Sequence, residues 1–296
     1  MPMILRPSTR DVGSLEELMD YYSSIDMQDR DAIAEGAPAL AALANNRDFL
    51  AHRIAAELKD AADLQRSNQY SSQVFFLGRG KDFFVRANFW PAIEDAVLQA
   101  SGPGTFFYGV PHDHNFDFIT VGYFGPGYIS DFYEYDFDKV VGYPGEPVDL
   151  RFVCREALPE GRVILYRGSL DIHEQLAPES FSISLNVVAD KAEVISTVNQ
   201  YMLDLDNRVV SSLGNRTSLP LICEIASYIG DEECMEVLSS LARCHPHARG
   251  RFSAIRAMTR LCPLDAALIW SHATSDSHQY VSEQARLHLQ ALELAS

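Results

Sequence analysis

Residues 111–118 read Pro111-His112-Asp113-His114-Asn115-Phe116-Asp117-Phe118, two imidazoles set two positions apart in a run with the composition of a β-strand. Side chains at i and i+2 of a strand stand on one face, so this spacing aims two neutral nitrogen ligands at one point. That is half of a metal site, and it places the site inside a β structure.

The next histidine is His173, 59 residues after His114 (173 − 114), in Gly168-Ser169-Leu170-Asp171-Ile172-His173. It follows the strand-like run Arg162-Val163-Ile164-Leu165-Tyr166 and precedes Phe181-Ser182-Ile183-Ser184-Leu185-Asn186-Val187. A close pair followed by a lone histidine after a glycine turn is a layout by which small β-barrels hold one transition metal. Imidazole suits iron, copper, zinc and nickel, and three of them on one face leave positions open for substrate or oxygen. His112, His114 and His173 are therefore the expected metal ligands.

These residues carry a resemblance. Gly109-Val110-Pro111-His112-Asp113-His114 followed by Gly122 resembles the first metal motif of the cupin superfamily, and Gly161 through Gly168 to His173, closing on Asn186, resembles a loosened second motif. The likeness covers about residues 70–190. It departs from the usual pattern where many cupins carry a glutamate ligand, since Phe118 stands there with the inward parity of His112 and His114. Such a three-histidine site is similar to the cysteine dioxygenase branch of the cupins. That resemblance implies a mononuclear Fe(II) cofactor, O2 as co-substrate and a double-stranded β-helix (jelly-roll) barrel. Relatives that consume 2-oxoglutarate usually show His-x-Asp and an Arg soon after the distal histidine. Residues 174–188 contain no Arg or Lys, which weakens that version, although Arg167 or Arg151 would be able to hold a carboxylate from another strand.

Periodicity divides the chain into residues 1–70, 71–190 and 191–296, an α+β organisation. From residue 14 to about 64 the pattern is helical: Ser14-Leu15-Glu16-Glu17 has the form of a capping box, and Leu50, Ile54 and Leu58 recur every four residues on one face. From about 73 to 188 it is β, with runs at 74–77, 83–86, 104–109, 116–124, 129–135, 150–155, 162–166 and 181–188, separated by Gly and Pro. After residue 190 the helical period returns and runs to the end. Two segments there match at an offset of 31, His247-Ala248-Arg249 and His278-Gln279-Tyr280, and such pairs resemble HEAT-type repeats, whose apolar faces are buried by stacking.

The expected pocket is aromatic. Tyr123 and Tyr133 are candidates to hydrogen-bond a bound oxygen or substrate in a catalytic role. Arg86, Arg151 and Arg167, on expected strands, are candidates for bidentate recognition of a substrate carboxylate, with Phe118 contributing to the substrate wall. Five cysteines, odd in number and widely spaced, read as reduced thiols. Cys244, His245 and His247 lack a second ligand pair at zinc-finger spacing.

A formal charge of −17 argues against nucleic acid, which needs clustered Lys and Arg, and against an anionic membrane surface. The N-terminal residues lack a signal-peptide core and no run approaches the ~20 apolar residues of a membrane span, so the expected location is the cytoplasm. The expected function is a non-haem Fe(II) oxygenase acting with O2 on a small-molecule or peptide substrate, amino-acid-like and free or carrier-bound. The alternatives are a non-redox isomerase or hydrolase on zinc or manganese, and a ligand-binding sensor whose helices hold a partner.

Overall fold

The computed structural model describes residues 2–59, 64–66, 68, 70–215 and 217–295. Its strands are β1 (Met3–Leu5), β2 (Val74–Arg79), β3 (Phe83–Trp90), β4 (Phe118–Phe124), β5 (Ile129–Glu134), β6 (Arg151–Ala157), β7 (Val163–Tyr166), β8 (Asp171–Leu176), β9 (Ser182–Ala189), β10 (Tyr201–Asp204) and β11 (Val209–Leu213). Its helices are α1 (Leu15–Ser23), α2 (Arg30–Glu35), α3 (Ala37–Asn45), α4 (Phe49–Leu58), α5 (Ala96–Ser101), α6 (Ala192–Thr197), α7 (Leu219–Ile229), α8 (Glu232–Cys244), α9 (Ala248–Leu261), α10 (Ala266–Ala273) and α11 (Gln279–Ala295).

All strand pairs are antiparallel. One sheet has the order β1-β7-β4-β9-β3-β2; a second has β6-β5-β8, and β10-β11 form a hairpin. His112 joins the last two, bridging to His173 of β8 on one side and Met202 of β10 on the other. The second sheet therefore runs on past residue 190, into a stretch that the sequence reading took as helical.

Alternation gives the first sheet two faces with different tasks. Ile119 and Val121 of β4, Val85 and Ala87 of β3, and Leu185 and Val187 of β9 pack outward against Leu18, Tyr22, Leu40, Leu43 and Leu50 of the N-terminal helices. Their neighbours Phe118, Phe84 and Val188 turn inward to meet Phe132 of β5. Burying each large apolar side chain contributes about 1.5–3 kcal/mol, so a one-residue slip in register would cost the whole set. The outer face of the second sheet is closed by Tyr135, Val148 and Leu150 over Ile172, Tyr201, Leu203 and Val210.

The capping box forms, with Glu17 N–H donating to Ser14 Oγ at 3.1 Å and Ser14 N–H to the Glu17 carboxylate at 2.7 Å. Leu50 is buried and Ile54 packs on the same core, but Leu58 is 60 % exposed at the end of α4. The part of the expected helical run at 60–63 lies outside the described residues. Residues 104–109 are not a strand: Pro103–Phe106 make a 3-10 turn that ends on a left-handed Phe107, since a proline at the start pre-sets helical φ.

In the C-terminal region α9 packs against α7, α8, α10 and α11, burying Ala254, Ile255 and Ala257. The two segments offset by 31 sit at equivalent places, the starts of α9 and α11. Leu287 of α11 is 58 % exposed, so not every apolar residue of that helix is buried by stacking. The α9 residue Arg249 reaches the second sheet: a Cβ on Gly142 would lie 2.6 Å from Tyr201 Oη and 3.1 Å from Arg249 Nη2. Only glycine fits there, and its φ of 93° suits it. No helix among the described residues is long and apolar enough to cross a membrane.

Candidate metal centre

Backbone pairing delivers the three histidines. His112 N–H donates to His173 O at 3.0 Å and His173 N–H to His112 O at 2.9 Å, while Leu203 N–H reaches Pro111 O at 2.9 Å on the other side. Residues 111–113 thus lie as a short extended rung between β8 and β10. Asp113 anchors it: its carboxylate accepts Tyr201 N–H and Tyr135 O–H, each at 2.5 Å. Burial raises this carboxyl to about 7, partly offset by those two donors.

His114 follows on the same side, its carbonyl accepting Ser169 N–H at 2.7 Å. The segment after it is clamped by Asp117, which accepts a bidentate pair from Arg30 at 2.8 and 3.1 Å and Gly168 N–H at 2.6 Å. Gly168 has to be glycine, because a Cβ there would sit 2.8 Å from the Phe116 backbone.

The outcome is one cluster. Ring centroids lie 4.4 Å apart for His112 and His173, 4.9 Å for His112 and His114, and 5.0 Å for His114 and His173. One nitrogen from each lies within 4.8 Å of the others. Among the described residues no other group of three His, Cys, Asp or Glu side chains converges so closely, and Cys244, His245 and His247 do not. His112 and His173 are buried and His114 half-buried. Burial pushes His112 down to about 4, against the raising effect of its bond to Val110 and with a smaller lowering from the Arg86 charge. Burial first, then the neighbouring imidazoles, holds His114 and His173 well below the usual histidine range. All three are neutral bases near pH 7, the form that binds a metal.

The second nitrogens fit the same use. His112 Nδ1–H donates to Val110 O at 2.8 Å, which fixes the tautomer and offers Nε2. The Gln200 amide of the segment before β10 lies 3.4 Å from His114 Nδ1; turned to present its oxygen, it would do the same for His114. His173 has no hydrogen-bond partner on either nitrogen, although it is only 1 % exposed. A buried imidazole with neither nitrogen satisfied is costly, and a metal on one of them removes part of that cost. The residues present therefore fit a transition metal held by three imidazoles.

The histidines line a cavity of about 720 Å3. Phe118 meets His114 edge to face at 5.1 Å and stacks on Tyr166 at 4.3 Å; Tyr166 in turn meets His173 at 4.8 Å. Arg86, Asn88 and Trp90 of β3, Asn186 of β9, Gln175 of β8 and Tyr128 form further walls. One wall is a directed chain of hydrogen bonds. Trp90 Nε1–H is a donor only, so Ser184 Oγ accepts from it at 3.0 Å and passes its own hydrogen to Asn186 Oδ1 at 3.0 Å. Thr120 donates to the same oxygen at 3.0 Å. Beside it, the hydroxyls of Tyr128, Tyr166 and Ser130 link at 3.1 and 3.0 Å.

Of the residues singled out from the sequence, the three histidines, Phe118 and Arg86 meet in this cavity. Four others do not line it. Tyr123 lies on the outward face of β4, its hydroxyl bonded to the carbonyls of Asn46 and Arg47 at 3.0 and 2.8 Å. Tyr133 lies on the outward face of β5 against Phe152, ring centroids 5.4 Å apart. Arg151 is an exposed partner of Glu134 on the edge strand β6. Arg167 pairs with Glu134 and buried Asp171 at 2.7 and 2.5 Å, bracing the start of β8. Asn88, Gln175, Gln200 and Met202, which carry no signal in the sequence reading, line the cavity instead, together with Tyr128, one of the aromatics expected around the metal.

No family model matches the chain and no curated protein is similar to it. Solved structures do match, among them hydroquinone 1,2-dioxygenase from Sphingomonas sp. TTNP3 with 4-hydroxybenzoate bound, at 12 % identity and a TM-score of 0.29 over 43 % of this chain and 70 % of that one. At that TM-score the likeness carries no argument, and the metal centre stands on its own geometry.

Proposed function

We propose that this chain is a non-haem Fe(II) oxygenase on a cupin-type jelly roll, oxidising a small or peptide- or carrier-bound amino-acid-like substrate with O2. The observation that carries the reading is the three neutral imidazoles gathered on one buried wall of a cavity, with both His173 nitrogens unsatisfied. An all-imidazole set without carboxylate suits a first-row metal of the iron-to-zinc range. The motif resemblance noted in the sequence and the aromatic enclosure favour iron within that range. Bound iron would supply a redox-active Lewis acid at which substrate and O2 meet.

The remaining chemistry belongs to the chain. Val110 fixes the tautomer of His112. Phe118, Tyr166 and Phe107 pack around the imidazoles and keep bulk water from the reacting atoms. Asn186, whose oxygen is already committed to Thr120 and Ser184, offers its amide hydrogens to the cavity. Arg86, on the same face two residues before Asn88, gives the cavity a fixed positive charge suited to a carboxylate.

Protein purified without oxygen and analysed for metal, then mixed with O2 and candidate amino-acid and thiol compounds, tests the reading. Iron near one per chain with substrate-dependent O2 uptake is expected. Zinc or manganese with turnover but no O2 uptake would move the assignment to the isomerase or hydrolase class.

A further inference from the structure

The geometry points to α7 as the docking site for a basic amphipathic helix of a partner protein. Leu221, Ile222, Ile225, Tyr228 and Ile229 are 63, 58, 47, 72 and 80 % exposed. Steps of three and four residues put all five on one face of the helix. The opposite face is spent: Cys223 and Ala226 pack in the cluster that α7 shares with α8 and α9. Singly exposed apolar residues are ordinary, but a contiguous stripe on the order of several hundred Å2 marks an interaction surface. The rim is ordered, since the Arg260 guanidinium lies 5.5 Å from the Tyr228 ring centre and donates to its hydroxyl at 3.3 Å.

Charge selects the occupant. Directly beyond the stripe, Asp231, Glu232, Glu233 and Glu236 are exposed, and among the described residues none of them forms an ion pair. The nearby cations Arg256 and Arg260 are both committed to Glu224. A second copy of this chain, net charge −17, would bring like charge to like, and an anionic lipid surface would do the same. A helix with an apolar face flanked by Lys and Arg instead gains apolar burial and complementary charge together. The 11 residues of α7 present three turns, about 16 Å, which matches anchors at i, i+3, i+4 and i+7 of such a partner.

The probe is a fluorescein-labelled synthetic helical peptide with Leu on one face and Lys on the other, titrated into the full-length protein and followed by anisotropy. Its two controls are a scrambled peptide and a version with Glu for Lys. The Leu/Lys peptide is expected to bind, to weaken about tenfold on Ile225→Asp and several-fold on the double change Glu232→Lys, Glu233→Lys, and to weaken as salt is raised. Circular dichroism of both variants should match the parent, because every changed side chain is exposed. Equal binding by the scrambled or acidic peptide, or unchanged binding by Ile225→Asp, overturns the proposal. So does a concentration-dependent dimer in sedimentation that Ile225→Asp dissolves, which would make the occupant a second copy.

Discussion

His112 and His173 exchange both backbone hydrogen bonds across adjacent extended segments, at 3.0 and 2.9 Å, with their rings 4.4 Å apart. The side chains proposed to hold the metal are thus positioned by main-chain atoms. The two backbone hydrogen bonds do not use the imidazoles, so ligand substitutions should separate metal binding from folding.

His173→Leu should remove the metal, to below about a tenth of the parent's content, as loss of one of three ligands weakens the set severely. In metal-free protein the same change should be neutral or stabilising by about 1 kcal/mol, because it replaces an imidazole that has no partner on either nitrogen with an apolar side chain of similar size. Urea unfolding of both proteins in chelator checks this. A loss of several kcal/mol would mean that His173 is a structural core residue.

The histidines were legible in the sequence, and parity misapplied lost the tyrosines. His112, His114 and His173 do converge, but not as strand parity: residues 111–117 form no strand, only His112 makes β bridges, and bends at Asn115 and Phe116 separate His114 from Phe118 at the start of β4. Tyr123 fails the parity rule within β4: Phe118 and Thr120 face the second sheet, so Ile119, Val121 and Tyr123 face the helices. The rule would also have found Asn88, two residues from Arg86, and Gln175, two from His173. Gln200 and Met202 were beyond it. Met202 sits in, and Gln200 immediately before, a four-residue strand held by long-range pairing to residues 111–113, and so short an element carries no period of its own.

Phe118→Glu should convert the wall beside His114 into an anionic ligand. The Phe118 ring stacks on Tyr166 at 4.3 Å and is 4 % exposed, so a carboxylate there has no solvent to satisfy it. Metal-free protein should lose about 3 kcal/mol or more by burying an unpaired acid, and metal should restore most of it. Thermal melts with and without added iron or zinc read this out. A variant equally stable in both conditions would show that the side chain does not reach the metal.

The cut that leaves a working centre should fall after residue 215. Tyr201 N–H holds the Asp113 carboxylate, Asn215 accepts Gln200 N–H at 2.8 Å, and Leu203 pairs with Pro111. A 1–215 fragment keeps all of these, whereas 1–190 also strips Tyr201, Leu203 and Val210 from the third core cluster. Metal content and near-ultraviolet circular dichroism of the two fragments should differ sharply, with 1–190 unable to retain metal. Equal metal binding by both would remove β10 and β11 from any part in the site.

Acid should destabilise the metal-free protein in the window from about pH 6.5 down to about 4. His112 titrates near 4 when folded, against 6.5 for the ordinary group, and His114 and His173 are also well depressed. Between those values the unfolded chain binds protons that the folded one refuses, so stability falls as pH falls. His112 alone accounts for about 3 kcal/mol of that loss. Asp113 opposes this: raised to about 7 when folded, against 3.8 for the ordinary carboxyl, it takes up a proton on folding over much of the same window and adds stability as pH drops. Three imidazoles against one carboxyl give a net loss, and Asp113→Asn, which removes the opposing group, should make the fall between pH 6.5 and 4.5 steeper. Urea unfolding at several pH values, with chelator present, measures both slopes. A parent whose stability holds level or rises from pH 6.5 to 4.5 would mean that the three imidazoles are not buried together as neutral bases.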